Sequence, residues 1–374
     1  MTESLSSLTA ATTYYVDILA YNIYSNGPKL AAELTFTTSD IPATPAKPTV
    51  AQSGTDVTIT FAAPADNGSP ITSYQVLFKK PDSSYAQYTS LCDGSTLVGS
   101  EGTGCTVAIS DLLSSTGNTV GTEIVAAIIA VNGDGASSRS PDSDDGVLYQ
   151  DSPASAPTLS SATATSTSAV TVAWTDMTDA STAAGYNAIT KYKVEYRVTG
   201  SGSAGWAVSG ETADGDTVSY SVTGLTTLTN YDFRVSAYNA FGYGPANNDA
   251  SVVSTRTQGV PFAPAKPTLT QASGSQNIVV NFAAPTDNGG AAIDTYKIEV
   301  RGQDGTTYVD MTSDCTETIN SAATACTVTM TEIKTAMNTG TAPSAGDQIK
   351  FRITAHNTHG YGSASAVNVD TIVI

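Results

Sequence analysis

Apolar residues alternate with a period of two in several short runs, the signature of half-buried antiparallel strands. In Tyr231-Asp-Phe233-Arg-Val235-Ser-Ala237 the odd positions are expected to face a core and the even ones solvent. The same pattern recurs at Tyr14, Val16, Ile18 and Ala20, at Ile124, Ala126, Ile128 and Ala130, and at Ile349, Phe351, Ile353 and Ala355. Turn-forming groups separate the runs, among them Asp66-Asn67-Gly68, Asp287-Asn288-Gly289-Gly290 and Gly242-Tyr243-Gly244-Pro245. Helical periodicity is weak, and its best stretch, Thr331 to Met337, predicts two turns within a connection. The last run, Ala366 to Ile374, predicts a closing strand. Short strands at this density predict an all-β chain of sandwiches.

Each alternating run ends in the same signature: Ala20-Tyr-Asn22, Ala130-Val-Asn132, Ala237-Tyr-Asn239 and Ala355-His-Asn357. Successive Asn residues lie 107 to 118 residues apart, so the repeated element is a whole domain and not a solenoid turn. Pro45-Ala-Lys-Pro48, Pro153-Ala-Ser-Ala-Pro157 and Pro264-Ala-Lys-Pro267 open three full units. The implied division is 1–40, 41–150, 151–258 and 259–374. The connecting stretches Ser39 to Thr44, Asp151 to Ala154 and Gln258 to Phe262 are short and Pro-bearing, which predicts a semi-rigid rod.

The segment Pro285 to Val300, with its twin from Pro64, resembles the B–C turn and C strand of fibronectin type III domains. Trp174 on a second strand, Tyr192 on a third, and Leu225 six residues before Tyr231 have the family's arrangement. The resemblance implies tandem fibronectin type III-like β-sandwiches, with a tyrosine corner at Tyr231 and, by the same spacing from Leu8, at Tyr14. The second and fourth units depart from it: Phe61 and Phe282 replace the Trp, and Ile124 and Ile349 replace the corner Tyr. Both carry instead a Cys pair and a longer run before the sixth strand. The first unit aligns only with the last strands of the third, which would leave Val16, Ile18 and Leu34 on an open apolar face. Upstream residues of the same chain, or another copy by strand addition, are the two expected covers.

Composition narrows the function classes. The 374 residues carry a net charge of −18, which repels phosphate backbones and disfavours nucleic acid and anionic membrane surfaces. Hydrophobic residues make up 40% and charged ones 13%, a balance that folds. No run approaches the length of a membrane span, so membrane insertion is not expected. Cys92 with Cys105 and Cys315 with Cys326 occupy the same place in two units and read as disulfides of an oxidising compartment; reduced, buried thiols are the alternative. We therefore expect a secreted or cell-surface protein whose export signal lies outside this sequence.

Candidate chemistry is sparse. His356 and His359 supply no third zinc ligand, no nucleophile has a base at motif spacing, and no catalytic, cofactor or metal residue is expected. Asp142, Asp144, Asp145 and Asp151, and Asp214 and Asp216, offer the oxygen ligands calcium takes, but the spacing matches no loop signature and a solvated acidic stretch is expected. Asn67-Gly68-Ser69 is an N-glycosylation sequon on an expected exposed turn, with Pro70 against it. Tyr21, Tyr24, Tyr238, Phe241, Tyr243 and Tyr361 gather at equivalent strand ends and suit contacts with the next unit, another chain or carbohydrate. The expectation is a non-enzymatic extracellular structural protein in a filament, coat or adhesive appendage; the rival is a spacer or binding region of a larger secreted enzyme or receptor.

Overall fold

The structure, a computed structural model, describes residues 4–29, 32–97, 103–272, 274–338 and 344–373. Val and Thr are the commonest residues of its strands, because a branched Cβ packs well on a pleated surface. In the third unit, Leu159–Ala164, Ala169–Trp174 and Ser219–Thr223 form one antiparallel sheet. Ala207–Glu211, Lys191–Val198, Asn230–Asn239 and Gly242–Tyr243 form the facing one, with Val253–Arg256 also pairing to Asn230–Asn239. The second and fourth units repeat this order with three strands against four. Among the described residues of the first unit the one sheet is an antiparallel pair, Thr13–Val16 with Leu34–Thr37.

Each full unit closes over its own core. Ile59, Val76, Phe78 and Ile128 in the second unit, Val172, Tyr192 and Phe233 in the third, and Val280, Ile298 and Phe351 in the fourth are wholly buried. Each such side chain stabilises by roughly 1.5–3 kcal/mol relative to exposure. The alternation overstates solvation of the outer face: Asp232 and Ser236 are buried as well, Asp232 because it pairs with Arg197. In the first unit the strand stops at Val16, leaving Ile18 exposed.

Two local structures differ from the expected pattern. A second helix, α1 (Ile109–Thr116), occupies the place in the second unit that α2 (Met330–Met337) holds in the fourth. The closing segments of the full units are not wholly regular strands. Ser137, Ser140 and Ser143 donate their backbone N–H to Ala130, Ile128 and Ala126, whose own N–H groups bond back to the same three serine Oγ atoms at 2.8–3.0 Å. Ser365 and Asn368 do the same for Ile353 and Phe351, as Asn247 does for Val235. The contact recurs every third residue, so the side-chain oxygen replaces a missing carbonyl at each step. Ala366 to Val373 is therefore not the regular strand expected, and Ile374 lies outside the described residues.

Between units the chain is handed over with little slack. Thr38 still bonds Thr12 of the first unit, and Asp40 N–H already bonds Asn67 of the second. Tyr149 bonds Thr122, Asp151 bonds Gly185, and only Gln150 lies between them. Gln258 N–H bonds Ser166 while the next residue, Gly259, bonds Gly289.

Candidate functional site

The crossing from the fifth to the sixth strand is built in two ways. In the third unit Thr226 N–H donates to the Tyr231 hydroxyl at 3.0 Å, and in the first Thr9 N–H donates to that of Tyr14 at 2.8 Å. Each phenol thus has its one polar atom satisfied under the turn; the Tyr231 ring is buried, whereas the Tyr14 ring is only half-buried. In the second unit Ile124 is buried at that position and α1 roofs the core with Ile109 and Leu112. Tyr149, only 1% exposed, supplies a phenol from the opposite end of the unit. Asn118 Nδ2 donates to its oxygen at 3.1 Å and Thr116 Oγ1 lies at 3.2 Å. Burial pushes the Tyr149 hydroxyl above its ordinary value. In the fourth unit Ile349 is buried, and α2 begins with a capping box in which Thr329 and Glu332 exchange side-chain to backbone bonds.

Disulfides join Cys92 to Cys105 and Cys315 to Cys326, with Cα separations of 5.8 and 5.0 Å. Each ties an irregular segment to the strand that carries its second Cys, Thr103–Ala108 or Ala325–Val328. No described cysteine is free.

The aromatic candidates divide. Tyr21 and Tyr24 are 80% and 87% exposed. Tyr238 and Tyr243 pack at 4.7 Å, and His356 and Tyr361 pack at 4.5 Å in the equivalent place. From each pair a stripe crosses the outer sheet face. In the third unit Lys193 lies over Tyr243, Glu195 takes a paired hydrogen bond from Arg234, and Arg234 covers Trp206 at 4.4 Å. In the fourth, Lys297 lies over Tyr361, Glu299 accepts from Arg352, and Arg352 covers Tyr308 at 3.6 Å. Phe241 behaves differently: it packs against the core of the second unit, so its contact is with the preceding sandwich and not the next.

The acidic residues are spent on local partners. Asp142 pairs with Arg139 and accepts from Tyr85, Asp144 pairs with Lys47, and Asp145 accepts from Val50 N–H. Asp151 accepts from Ser152 N–H, and Asp214 caps Thr217, whose hydroxyl and N–H hold its carboxyl below the ordinary value. Among the described residues no three His, Cys, Asp or Glu converge on a metal position. Asp216 lies in the same turn as Asp214. His356 bonds Asp294 at 2.6 Å and His359 bonds Gln258 at 2.8 Å. Asn67 is not on a free turn: it is half-buried and its Nδ2, the atom a glycan would occupy, donates to Ile41 O at 2.8 Å.

The fibronectin type III domain profile matches residues 155–253, which span most of the third unit. The flanking units repeat its strand order. The third unit belongs to the fibronectin type III family. Relatives include fibronectin type-III domain-containing protein 3a of Gallus gallus, 39% identical over 87 residues, or 23% of this chain and 7% of that protein. Neogenin of Rattus norvegicus is 29% identical over 205 residues, 54% of this chain and 13% of that one. Exoglucanase B of Cellulomonas fimi is 34% identical over 162 residues, 41% and 13% respectively. The match thus spans a small fraction of each relative. The crystal structure of chicken CNTN1 FN1-FN3 domains covers 89% of this chain and 98% of its own at 18% identity, with a TM-score of 0.31 that bears on neither shape nor function. No described helix is long and apolar enough to cross a membrane.

Proposed function

We propose that this fibronectin type III array is a non-enzymatic structural element of the cell exterior, dividing at 40/41, 150/151 and 258/259. It would act by holding fixed spacing within a filament, surface coat or adhesive appendage. The carrying observation is the handover between units, where at most one residue separates the last bond to one sandwich from the first bond to the next. Such a chain transmits force and orientation instead of acting as a tether. The two disulfides favour an oxidising compartment. The exposed Tyr21, Tyr24 and Tyr361 suit contact with other protein chains, copies of itself among them, or with carbohydrate.

Electron microscopy of the native material tests this reading. Beads repeating at roughly 30 Å, the length of a sandwich of eight- to ten-residue strands, within a filament or coat would support it. Short arrays hanging from a larger globular body would overturn it in favour of a spacer or binding arm of a larger secreted protein. That second reading is favoured by the match to Exoglucanase B, which spans 13% of that enzyme.

A further inference from the structure

We propose that Asn132, Asn239 and Asn357 are joint latches: each clamps the incoming connecting strand onto the following sandwich and so fixes the angle between consecutive units. The inference is independent of where the protein works. All three side chains are buried, at 5%, 0% and 0% exposure, and each spends its whole amide in one way. One Nδ2 hydrogen goes to the connecting strand, to Asp40 O, Asp151 O and Gly259 O, at 2.8 Å in every case. The other goes to the loop between the second and third strands, to Asp66 O at 3.1 Å, Ala184 O at 2.9 Å and Asn288 O at 2.8 Å. Oδ1 accepts from the hairpin turn that follows, from Asp134, Phe241 and His359 N–H at 2.8–2.9 Å.

The clamped residue is held from its other side too. N–H of Asp40, Asp151 and Gly259 bonds the carbonyl of Asn67, Gly185 and Gly289, and three residues on, N–H of Ala43, Ala154 and Phe262 bonds that of Ala65, Ala183 and Asp287. Asn67, Gly185 and Gly289 all adopt the left-handed conformation, at φ of 53°, 71° and 75°. A Cβ on Gly185 would sit 2.1 Å from Asp151 O, and one on Gly289 would sit 2.3 Å from Gly259 O. At Gly185 and Gly289 the loop thus admits the connecting backbone only because no side chain stands there. Three joints with different side chains around them keep the same five hydrogen bonds, three from the Asn amide and two between backbone groups, which a chance packing of neighbouring beads would not produce. A buried amide with every donor and acceptor used is the kind of polar group that specifies one arrangement.

The test uses the full chain with spin labels attached by non-cysteine chemistry to exposed strand positions of the second and third units. The parent protein should show one narrow inter-label distance. Asn239→Ala removes the latch, and Gly185→Ala pushes Asp151 away while leaving the Asn239 strand untouched. Either should free about four residues and broaden the distance by on the order of 10 Å. Trp174 and Trp206 are the chain's two tryptophans and both lie in the third unit, so their emission reports whether that unit stays folded. If Asn239→Ala loosens the unit itself, Gly185→Ala decides. A parent distribution already that broad, or a narrow one retained by Gly185→Ala with native emission, overturns the proposal.

Discussion

The third unit and its two neighbours solve one problem with different parts. All must cover the core where the chain crosses from one sheet to the other before the central strand. The third does so with local chemistry: Tyr231 reaches back to Thr226, and Trp174 packs on Tyr192 at a centroid distance of 5.2 Å. The second and fourth keep the aromatic pair, as Phe61 on Tyr74 and Phe282 on Tyr296, but give up the corner tyrosine and use a helix, a disulfide and, in the second, a phenol from the far end of the unit. The comparison teaches that the crossing needs a filled volume and a satisfied backbone, and that a longer connection stapled by sulfur meets both as well as one tyrosine does.

The largest effect expected on this contrast comes from the staples. Cys92→Ser with Cys105→Ser should cost the second unit roughly 3 kcal/mol, from the loop entropy restored to its unfolded chain. Calorimetry should show that transition moving while the tryptophan-detected transition of the third unit stays in place. Movement of both would mean that the units do not unfold independently. Next in size, Tyr149→Phe should cost the second unit about 2 kcal/mol, because Asn118 and Thr116 lose a buried partner. Hydrogen exchange resolved by peptide should localise the loss to α1 and the strand Ala126–Asn132. Loss spread over the third unit would contradict the division of labour.

Smaller and matched in size are the two local devices. Tyr231→Phe should lower the third unit by about 1 kcal/mol, the net worth of one hydrogen bond. Thr329→Ala should lower the fourth by about 1 kcal/mol through loss of the N-cap of α2. Denaturant titrations of the two variants should therefore shift different transitions by similar amounts.

The smallest effect is acid sensitivity, which sharpens the same contrast. Burial pushes the Asp232 carboxyl up, but bonds from Thr199, Ser254 and Arg197 together outweigh it and hold it below its ordinary value of 3.8. A depressed carboxyl contributes stability that is present above its unfolded value and is lost as pH falls through the folded one. The third unit should lose this contribution below about pH 3.8, and Asp232→Asn should flatten the pH dependence of its tryptophan-detected unfolding. Lys350 stands opposite Arg301 where Asp232 stands opposite Arg197, so the fourth unit lacks this element.

Much of this was legible in the residues because it is local. Period-two runs marked the central strands, Leu225 and Tyr231 lie close enough to define a corner, and the weak helical periodicity of Thr331 to Met337 marked α2. The twin helix α1 carries no such signal: it starts after Ala108 without a side-chain cap and is rich in Ser and Thr. The serine ladder escaped because it repeats every third residue, a spacing that neither strand nor helix alternation reveals. Asn132, Asn239 and Asn357 stood out as markers, yet their acceptors on the connecting strands lie 88 to 98 residues away. Phe241 was visible as an aromatic at a strand end, but which sandwich it touches depends on how the preceding one is placed.

The sequence by itself determined the sandwich class, the alternation of two unit types and the pairing of the cysteines. Those properties rest on side-chain periodicity and short spacings, which the chain carries whether folded or not. The tertiary structure alone decided where the buried amides spend their hydrogen bonds, why Asn67 faces a connecting strand, and how one sandwich seats on the next. Those properties depend on groups that become neighbours only after separate cores have closed, so no local pattern encodes them.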